Sequence, residues 1–588
     1  MDKNFHTILE SGGQKIIDWQ TGALAELSRF QAAINPDLEV LTFLGDGRNE
    51  TARLTAQELD AKAGNLAGWL RKCLKPKQRV ILLLENGPEY LLALFGCAYA
   101  GVTPVSGVYP TDFGSKQRLC HIVKDSDAVA VIGEKNTLSS FQKECQLESL
   151  NILWIPVELA EKYSAYYYSP LKNSDEALIQ YTSGSTNIPK GVILTSRNIL
   201  FNLTQQGIKL GYTQGDVGVS WLPLSHDMGL MGAALMAIAA GGQCILLPPE
   251  KFLQTPTIWL CAISKYKATL SGAPGFAYDI CVNFKDNLLE NIDLSKWEQA
   301  FVGSESINFE TIRKFSSKFS NYGFKNKAFC PCYGLAEATL LVSSKARKKN
   351  VFLGKFSRAF LTESVVAPPL SLDDERIVVS CGEVIDDTHI LVVKNETDFS
   401  LAAENEEGLL FVSGPGVSQG YCGHGNQNII KLEYNGIIYV YTGDKGFYYD
   451  KNLFLTGRKS NEIIINGFKI DPEDFVFSVS QKEPRISQNN STIFLNDNIP
   501  VFVCSCFNRS DYEDRIFSEQ IKKIFYKKFR IHKSEIWFVN SASFDKTPSG
   551  KIMVDATKYN LICNENLILK KIRLDIVKNF TLLKKEIF

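Results

Sequence analysis

The stretch Tyr181–Thr195 reads YTSGSTNIPKGVILT, and the rest of the chain is organised around it. Thr182, Ser183, Gly184, Ser185 and Thr186 are small or hydroxylated, giving a mobile backbone with many donors. Lys190 follows closely enough for its ammonium to return over the same loop, and Val192–Leu194 is an apolar anchor. Upstream, Ala177–Tyr181 (ALIQY) predicts a buried strand, so the segment is a loop projecting from a sheet edge. Successive N–H groups in such a loop form a nest suited to a polyphosphate. A Walker A loop is excluded, because Pro189 stands where that motif needs its second glycine. A plain surface turn needs one or two small residues, not five followed by Pro-Lys-Gly.

At 588 residues the chain is too long for one ordinary core, so two or more domains are expected. Lys+Arg and Asp+Glu both total 64, and this zero net charge argues against a dominant nucleic-acid footprint. The fourteen cysteines include no C-x-x-C pair and read as buried free thiols in a reducing cytosol. Cys330 and Cys332 lie two apart, which on a strand puts both thiols on one face. Met1–Glu10 lacks a basic-then-apolar signal, and no stretch reaches membrane-spanning length without Gly, Pro or charge. A cytoplasmic protein with no transmembrane segment is expected. Apolar runs at Leu41–Asp46, Arg79–Leu84, Ala128–Ile132 and Ile152–Ile155 alternate with helix-like Leu54–Leu74 and Tyr90–Ala100. That alternation predicts a parallel α/β sheet covered on both faces.

The loop string resembles the phosphate loop of the AMP-forming adenylating superfamily: acyl-CoA synthetases, luciferases, nonribosomal adenylation domains and fatty acyl-AMP ligases. Further strings in family order extend the resemblance over roughly residues 10 to 555. In Val217–Met231 (VGVSWLPLSHDMGLM) an apolar run passes Pro223 to a turn at His226, and the match through HDMGL is closest to fatty acyl-AMP ligases. There His226 is placed to donate to the acid or to developing phosphate charge. Ala300–Ile307 (AFVGSESI) reads as a strand ending at Gly303, with the backbone of Ser304 and Glu305 free to touch a base. In Cys332–Leu340 (CYGLAEATL), Tyr333 offers an aromatic face for adenine and Gly334 permits close backbone approach, flanked by Cys332, Leu335 and Ala336. Glu337, with Thr182 of the loop, is the expected Mg²⁺ ligand. Asp444, read as a turn residue in Ile438–Gly446 (IYVYTGDKG), can accept from both ribose hydroxyls. Arg458, beyond a hairpin-like Tyr449–Asn452, can bridge ribose and phosphate with its planar fork. The string APGFAYDIC over 273–281 reads equally as acid-pocket wall and as core, with Gly275 where an Asn is usual in the ligases.

After Arg458 the chain turns rich in Lys, Asn and Ile and predicts a small α+β domain with a basic helix at Tyr512–Phe529. Phe544–Lys551 (FDKTPSGK) resembles the superfamily's catalytic-lysine loop, so Lys551 is expected to bridge carboxylate and α-phosphate. The tail Ile568–Phe588 predicts a basic amphipathic helix. Lys345–Arg376 resembles, in place and composition, the insertion that marks fatty acyl-AMP ligases and would brace the domains against use of free CoA. Ser460 at the hinge and Asn466 before Gly467 depart from the family pattern. The resemblance implies an α/β fold: a large N-terminal domain (1–458) of parallel and mixed sheets flanked by helices with a smaller β-subdomain, and a small α+β C-terminal domain (459–588) on a mobile hinge. It implies ATP- and Mg²⁺-dependent activation of a medium- or long-chain fatty acid to acyl-adenylate, then transfer to an acyl carrier protein. A long-chain acyl-CoA synthetase, an amino-acid adenylation enzyme and a degenerate nucleotide-binding scaffold are the alternatives.

Overall fold

Glu176–Thr182 and Lys190–Thr195 pair antiparallel with Lys190 opposite Thr182, so the decisive loop is the tip of a hairpin. The computed structural model describes residues 7–9, 15–107, 109, 113–144, 152–182, 189–423, 429–465, 468–470, 472–483, 485–487, 490–497, 499–505, 517–525, 531, 533–546 and 552–575. Ser183, Gly184, Ser185, Thr186, Asn466 and Lys551 lie outside the described residues.

The hairpin belongs to a seven-stranded sheet ordered 420–421, 190–195, 176–182, 103–106, 79–83, 130–133, 153–156, of which the last five strands are parallel. Ile81, Leu82, Val105 and Ile179 are fully buried, as parallel strands covered on both faces require. The helix Ala56–Cys73 opens with a capping box between Thr55 and Glu58. Leu54, expected in that helix, belongs instead to the strand Ala52–Thr55.

The second sheet has nine strands, ordered 383–384, 341–344, 329–334, 299–302, 270–273, 217–220, 243–246, 39–43, 52–55. Those from 329–334 to 39–43 are parallel, so the strands leading to Gly303, to Gly334 and to Pro223 all end on the same edge. Open parallel sheets bind ligands along that carboxyl edge. The helix Gly275–Val282 buries Phe276, Ala277, Tyr278 and Cys281 among Trp259, Trp297 and Phe315, so APGFAYDIC is core rather than pocket wall.

A five-stranded antiparallel sheet follows, in which the long strand Ile437–Tyr449 pairs with 408–413 on one edge and with 431–434 and then 452–458 along the other. Asp444 lies inside that strand, not on a turn after it. The ladder continues through Gly443, at φ +80°, and a register shift at Lys445/Gly446, so the chain bends without leaving the sheet. The inserted stretch is built in: Leu353–Ser357 pairs with Glu375–Val379, and Phe356, Leu361 and Val366 share a core with Phe447 and Phe454.

The C-terminal small domain holds a four-stranded sheet ordered 491–496, 499–505, 533–539, 568–575. Ile568–Asp575 is therefore a strand, not the start of a helix. Burial alternates there, with Leu574 inside and Arg573 outside on Glu535, which is the period of a strand. The basic helix is described over 517–525. Among the described residues no helix is long and apolar enough to cross a membrane.

Candidate active site

Along the carboxyl edge of the nine-stranded sheet opens a cavity of about 660 Å³. Thr182 and Lys190, at the base of the hairpin, form one wall. The hairpin is held from behind by Tyr181, whose hydroxyl donates to Asp125 at 2.7 Å and lies 3.0 Å from Cys422 Sγ. Strand 420–421 pairs with the hairpin at Val192↔Tyr421, which sets the Tyr421 ring 5.3 Å below the Lys190 ammonium. From there the Tyr421 hydroxyl donates to Glu337 Oε1 at 2.6 Å. Burial and that carboxylate push the Tyr421 phenol well up, so it stays a donor. Tyr421 carried no role in the sequence reading; its signal was a cross-strand register that only the paired sheet makes visible.

The next wall is bare backbone. A Cβ on Gly303 would lie 2.8 Å from the Cys332 carbonyl oxygen, and one on Gly334 would collide with the carbonyl of Leu340. Ser304 sits at φ +70°, a strained value for a non-glycine residue and one often held at functional sites. Glu305 accepts from the Phe276 N–H at 3.2 Å, and a Cβ on Gly275 would stand 2.9 Å from the same oxygen. The glycine that replaces the usual Asn thus makes room for this carboxylate. Cys330 and Cys332 have their sulfurs 3.9 Å apart, on one face as expected, and Cys332, Leu335 and Ala336 line the cavity.

Opposite, Asp444 and Arg458 are cross-strand neighbours. Arg458 Nε donates to Asp444 Oδ1 at 2.7 Å, and the Tyr333 hydroxyl donates to Oδ2 at 2.8 Å. The Asp444 charge holds the Arg458 guanidinium above its ordinary value despite burial.

His226 caps the segment that closes the site. Its Nδ1 lies 2.6 Å from Asp227 Oδ1, which also accepts from the Met228 N–H at 2.7 Å, leaving Nε2 for a ligand. Burial pulls the imidazolium down, but the charge and hydrogen bond of Asp227 outweigh it, and the pKa rises above 6.5. Gly229 packs directly on the Pro223 carbonyl, and Leu230–Leu235 is a π-helical turn, a device frequent at functional sites. Behind His226 the cavity continues past Gly218, Leu270, Ala233 and Ala237.

The last wall comes from the small domain. Ile552, Met553, Val554 and Asp555 line the cavity, and Ile552 bridges to Lys546. Lys459, Ser460 and Asn461 line it as well. Just beyond, Glu462 meets Lys445 Nζ at 2.8 Å, and the same ammonium holds Glu407 at 2.8 Å; Glu407 is buried and the other two are partly buried. The Ser306 N–H donates to Glu473 at 3.2 Å, tying the cavity rim to the small domain. Of the expected residues, Thr182, Lys190, His226, Gly303, Ser304, Glu305, Cys332, Tyr333, Gly334, Leu335, Ala336, Glu337, Asp444 and Arg458 line one cavity.

Residues 29–422 match the AMP-binding enzyme family. The chain belongs to the AMP-binding enzymes. This AMP-binding enzyme is 30% identical over 568 residues to the medium-chain-fatty-acid–acyl-carrier-protein ligase JamA of Moorena producens, covering 92% of this chain and 95% of that one. It is 30% identical over 469 residues to the long-chain-fatty-acid–AMP ligase FadD32 of Mycolicibacterium smegmatis, covering 74% and 73%. Among solved structures it resembles one from a study of fatty acyl-adenylate ligases of E. coli and L. pneumophila, with a TM-score of 0.83, 28% identity and 93% and 98% coverage. The L. pneumophila ligase in complex with acyl adenylate and pyrophosphate aligns with a TM-score of 0.72 at 28% identity, over 94% and 98%.

Proposed function

We propose that this AMP-binding enzyme activates a medium- or long-chain fatty acid and hands it to an acyl carrier protein. The acid's carboxylate oxygen attacks the α-phosphorus of ATP and pyrophosphate leaves. The phosphopantetheine thiol of the carrier, losing its proton, then displaces AMP from the acyl-adenylate to form a thioester. The observation that carries this reading is one cavity with two chemistries: charged groups and bare backbone on some walls, and the apolar Ala233, Ala237 and Leu270 with Gly218 on others.

The donor set fits the nucleotide. Asp444, pre-oriented by Tyr333 and Arg458, is the acceptor for ribose hydroxyls. Gly303 and Gly334 bring side-chain-free backbone to the cavity wall, which suits a flat base. Lys190 lines the cavity at the base of the hairpin and is assigned to the β- and γ-phosphates. Among the described residues no group of three or more His, Cys, Asp and Glu is arranged to hold a metal. One carboxylate, Glu337, with Thr182, suits Mg²⁺, which keeps waters and substrate phosphates as its other ligands. Bound there, the ion supplies neutralising charge for the phosphates. We assign His226, on the cavity wall, to the reacting end and Lys551 to drawing carboxylate and α-phosphate together.

An amine-bearing acid is disfavoured, because Asp227 is already committed to His226 and the Met228 N–H. We assign 1–458 to adenylation and 459–588 to a lid hinged at Lys459–Asn461. The inserted helix Arg358–Thr362 lies against the strand Phe468–Ile470, which supports a bracing role. The test offers dodecanoic acid, ATP and Mg²⁺ with either phosphopantetheinylated carrier protein or CoA, read by mass spectrometry. Acyl-carrier with no acyl-CoA is expected. Robust acyl-CoA overturns the carrier half, and amino-acid-dependent pyrophosphate exchange overturns the fatty-acid half.

A further inference from the structure

Gly218 is a mid-strand glycine that the protein itself does not require. It lies in Val217–Ser220, the sixth strand of nine, paired with Cys244 on one side and Leu270 on the other. Its φ is not among the positive values. A Cβ built on it meets, among the described residues, the Gln243 carbonyl oxygen at 3.7 Å, an ordinary contact. Gly229 and Gly334 differ, since a Cβ on either would strike a carbonyl. A strand glycine costs stability relative to alanine and often marks close approach by a ligand. Gly218 lines the cavity, so the space it leaves opens into it.

Two rulers place Gly218 along the recess. From Leu222 to Asp216, both on the wall, is roughly 20 Å at the rise of a strand. From His226 to Ala240 on the facing helical segment is also roughly 20 Å at the rise of a helix. The far end is polar: Asp216 holds Arg347 at 2.9 Å, with Gln206 and Gln243 on the same wall. Gly218 lies about 13 Å down from Leu222. An extended polymethylene chain advances about 1.2 Å per bond, as a three-bond residue spanning about 3.6 Å does. Gly218 therefore faces the chain at about the eleventh bond, and the polar floor stands at about the sixteenth.

Resting on the fatty-acid reading above, we propose that Gly218 sets the chain length this enzyme accepts. It admits the distal part of an acyl chain of about twelve to sixteen carbons. A longer chain would press methylenes against the Asp216–Arg347 ion pair and strip its polar surroundings.

The test compares the full-length protein with Gly218→Val and Gly218→Phe, measuring pyrophosphate release with ATP, Mg²⁺ and octanoic to octadecanoic acids. In the parent, kcat/KM should climb roughly fourfold per methylene from octanoic acid to about tetradecanoic acid and fall at octadecanoic acid. Gly218→Phe should keep octanoic acid within about threefold and lose about a hundredfold or more on tetradecanoic acid, with Gly218→Val between. Equal loss at every length in variants that melt like the parent, or an unchanged length profile, overturns the inference. A parent that makes thioester from octanoic acid but prefers it to tetradecanoic acid overturns it while sparing the fatty-acid reading. A parent that releases pyrophosphate with no acid overturns both.

Discussion

The Tyr333 hydroxyl donates to Asp444 Oδ2 over 2.8 Å, joining two residues 111 positions apart in the chain. With Arg458 on Oδ1, this locks the carboxylate before any ligand arrives. Tyr333→Phe should cost about 1 kcal/mol of ATP affinity, roughly a fivefold rise in Kd by calorimetric titration. Asp444→Ala should cost more, because it strands both Tyr333 and Arg458.

Tyr421 orients Glu337 as a hydrogen-bond partner orients a metal ligand. Tyr421→Phe is expected to raise the Mg²⁺ concentration for half-maximal pyrophosphate release about tenfold. ATP affinity without metal should change little. An unchanged Mg²⁺ titration would remove Glu337 from the metal role.

Much of this site was legible because its motifs are local strings, several of which leave a parallel strand at its carboxyl end. Gly303 and Gly334 could be singled out since close backbone approach has a residue-level signature, and Asp444 by its motif, although it lies within a strand and not on the expected turn. Partnerships across the fold could not. Tyr421 reaches Glu337 through the register of an edge strand, and Lys445 finds Glu407 and Glu462 from separate segments of the chain. Ile568–Asp575 misread as a helix because lysines at positions 570 and 571 blurred a strand alternation that pairing with Lys533–Val539 decides. APGFAYDIC could not be sorted into core or pocket, because both demand the same apolar residues; packing on Trp259 and Trp297 settles it as core.

His226 titrates against Asp227. Its folded pKa lies above the ordinary 6.5, so this pair's stabilisation is full below that value and is lost as pH rises through the folded pKa. Asp227→Asn should bring the imidazole pKa down, seen by NMR titration of the ring. It should also lower the melting temperature more at about pH 5.5 than at about pH 8.5. The opposite ordering would break the assignment.

Lys445 is the shared cation of a largely buried triad next to Lys459–Asn461. Lys445→Met leaves Glu407 buried without its cation and Glu462 with Lys459 alone, and should destabilise by about 2 kcal/mol or more in chemical denaturation. Burial raises the Glu462 carboxyl, but Lys445 and Lys459 outweigh it and hold it below 4.5. Stability from Glu462 is therefore present above that value and is lost as pH falls through the depressed one. The parent should lose melting temperature in acid more steeply than Lys445→Met.

The central claim is that one cavity joins a fatty acid to AMP, and the most direct measurement is the product of a single turnover. Protein mixed with dodecanoic acid, ATP and Mg²⁺ should yield dodecanoyl-adenylate and pyrophosphate in equal amounts by mass spectrometry. Lys551→Ala should bind ATP normally and yield about a hundredfold less or lower still. ADP and phosphate as products, or a Lys551→Ala protein that makes the adenylate at the parent's rate, would contradict the account.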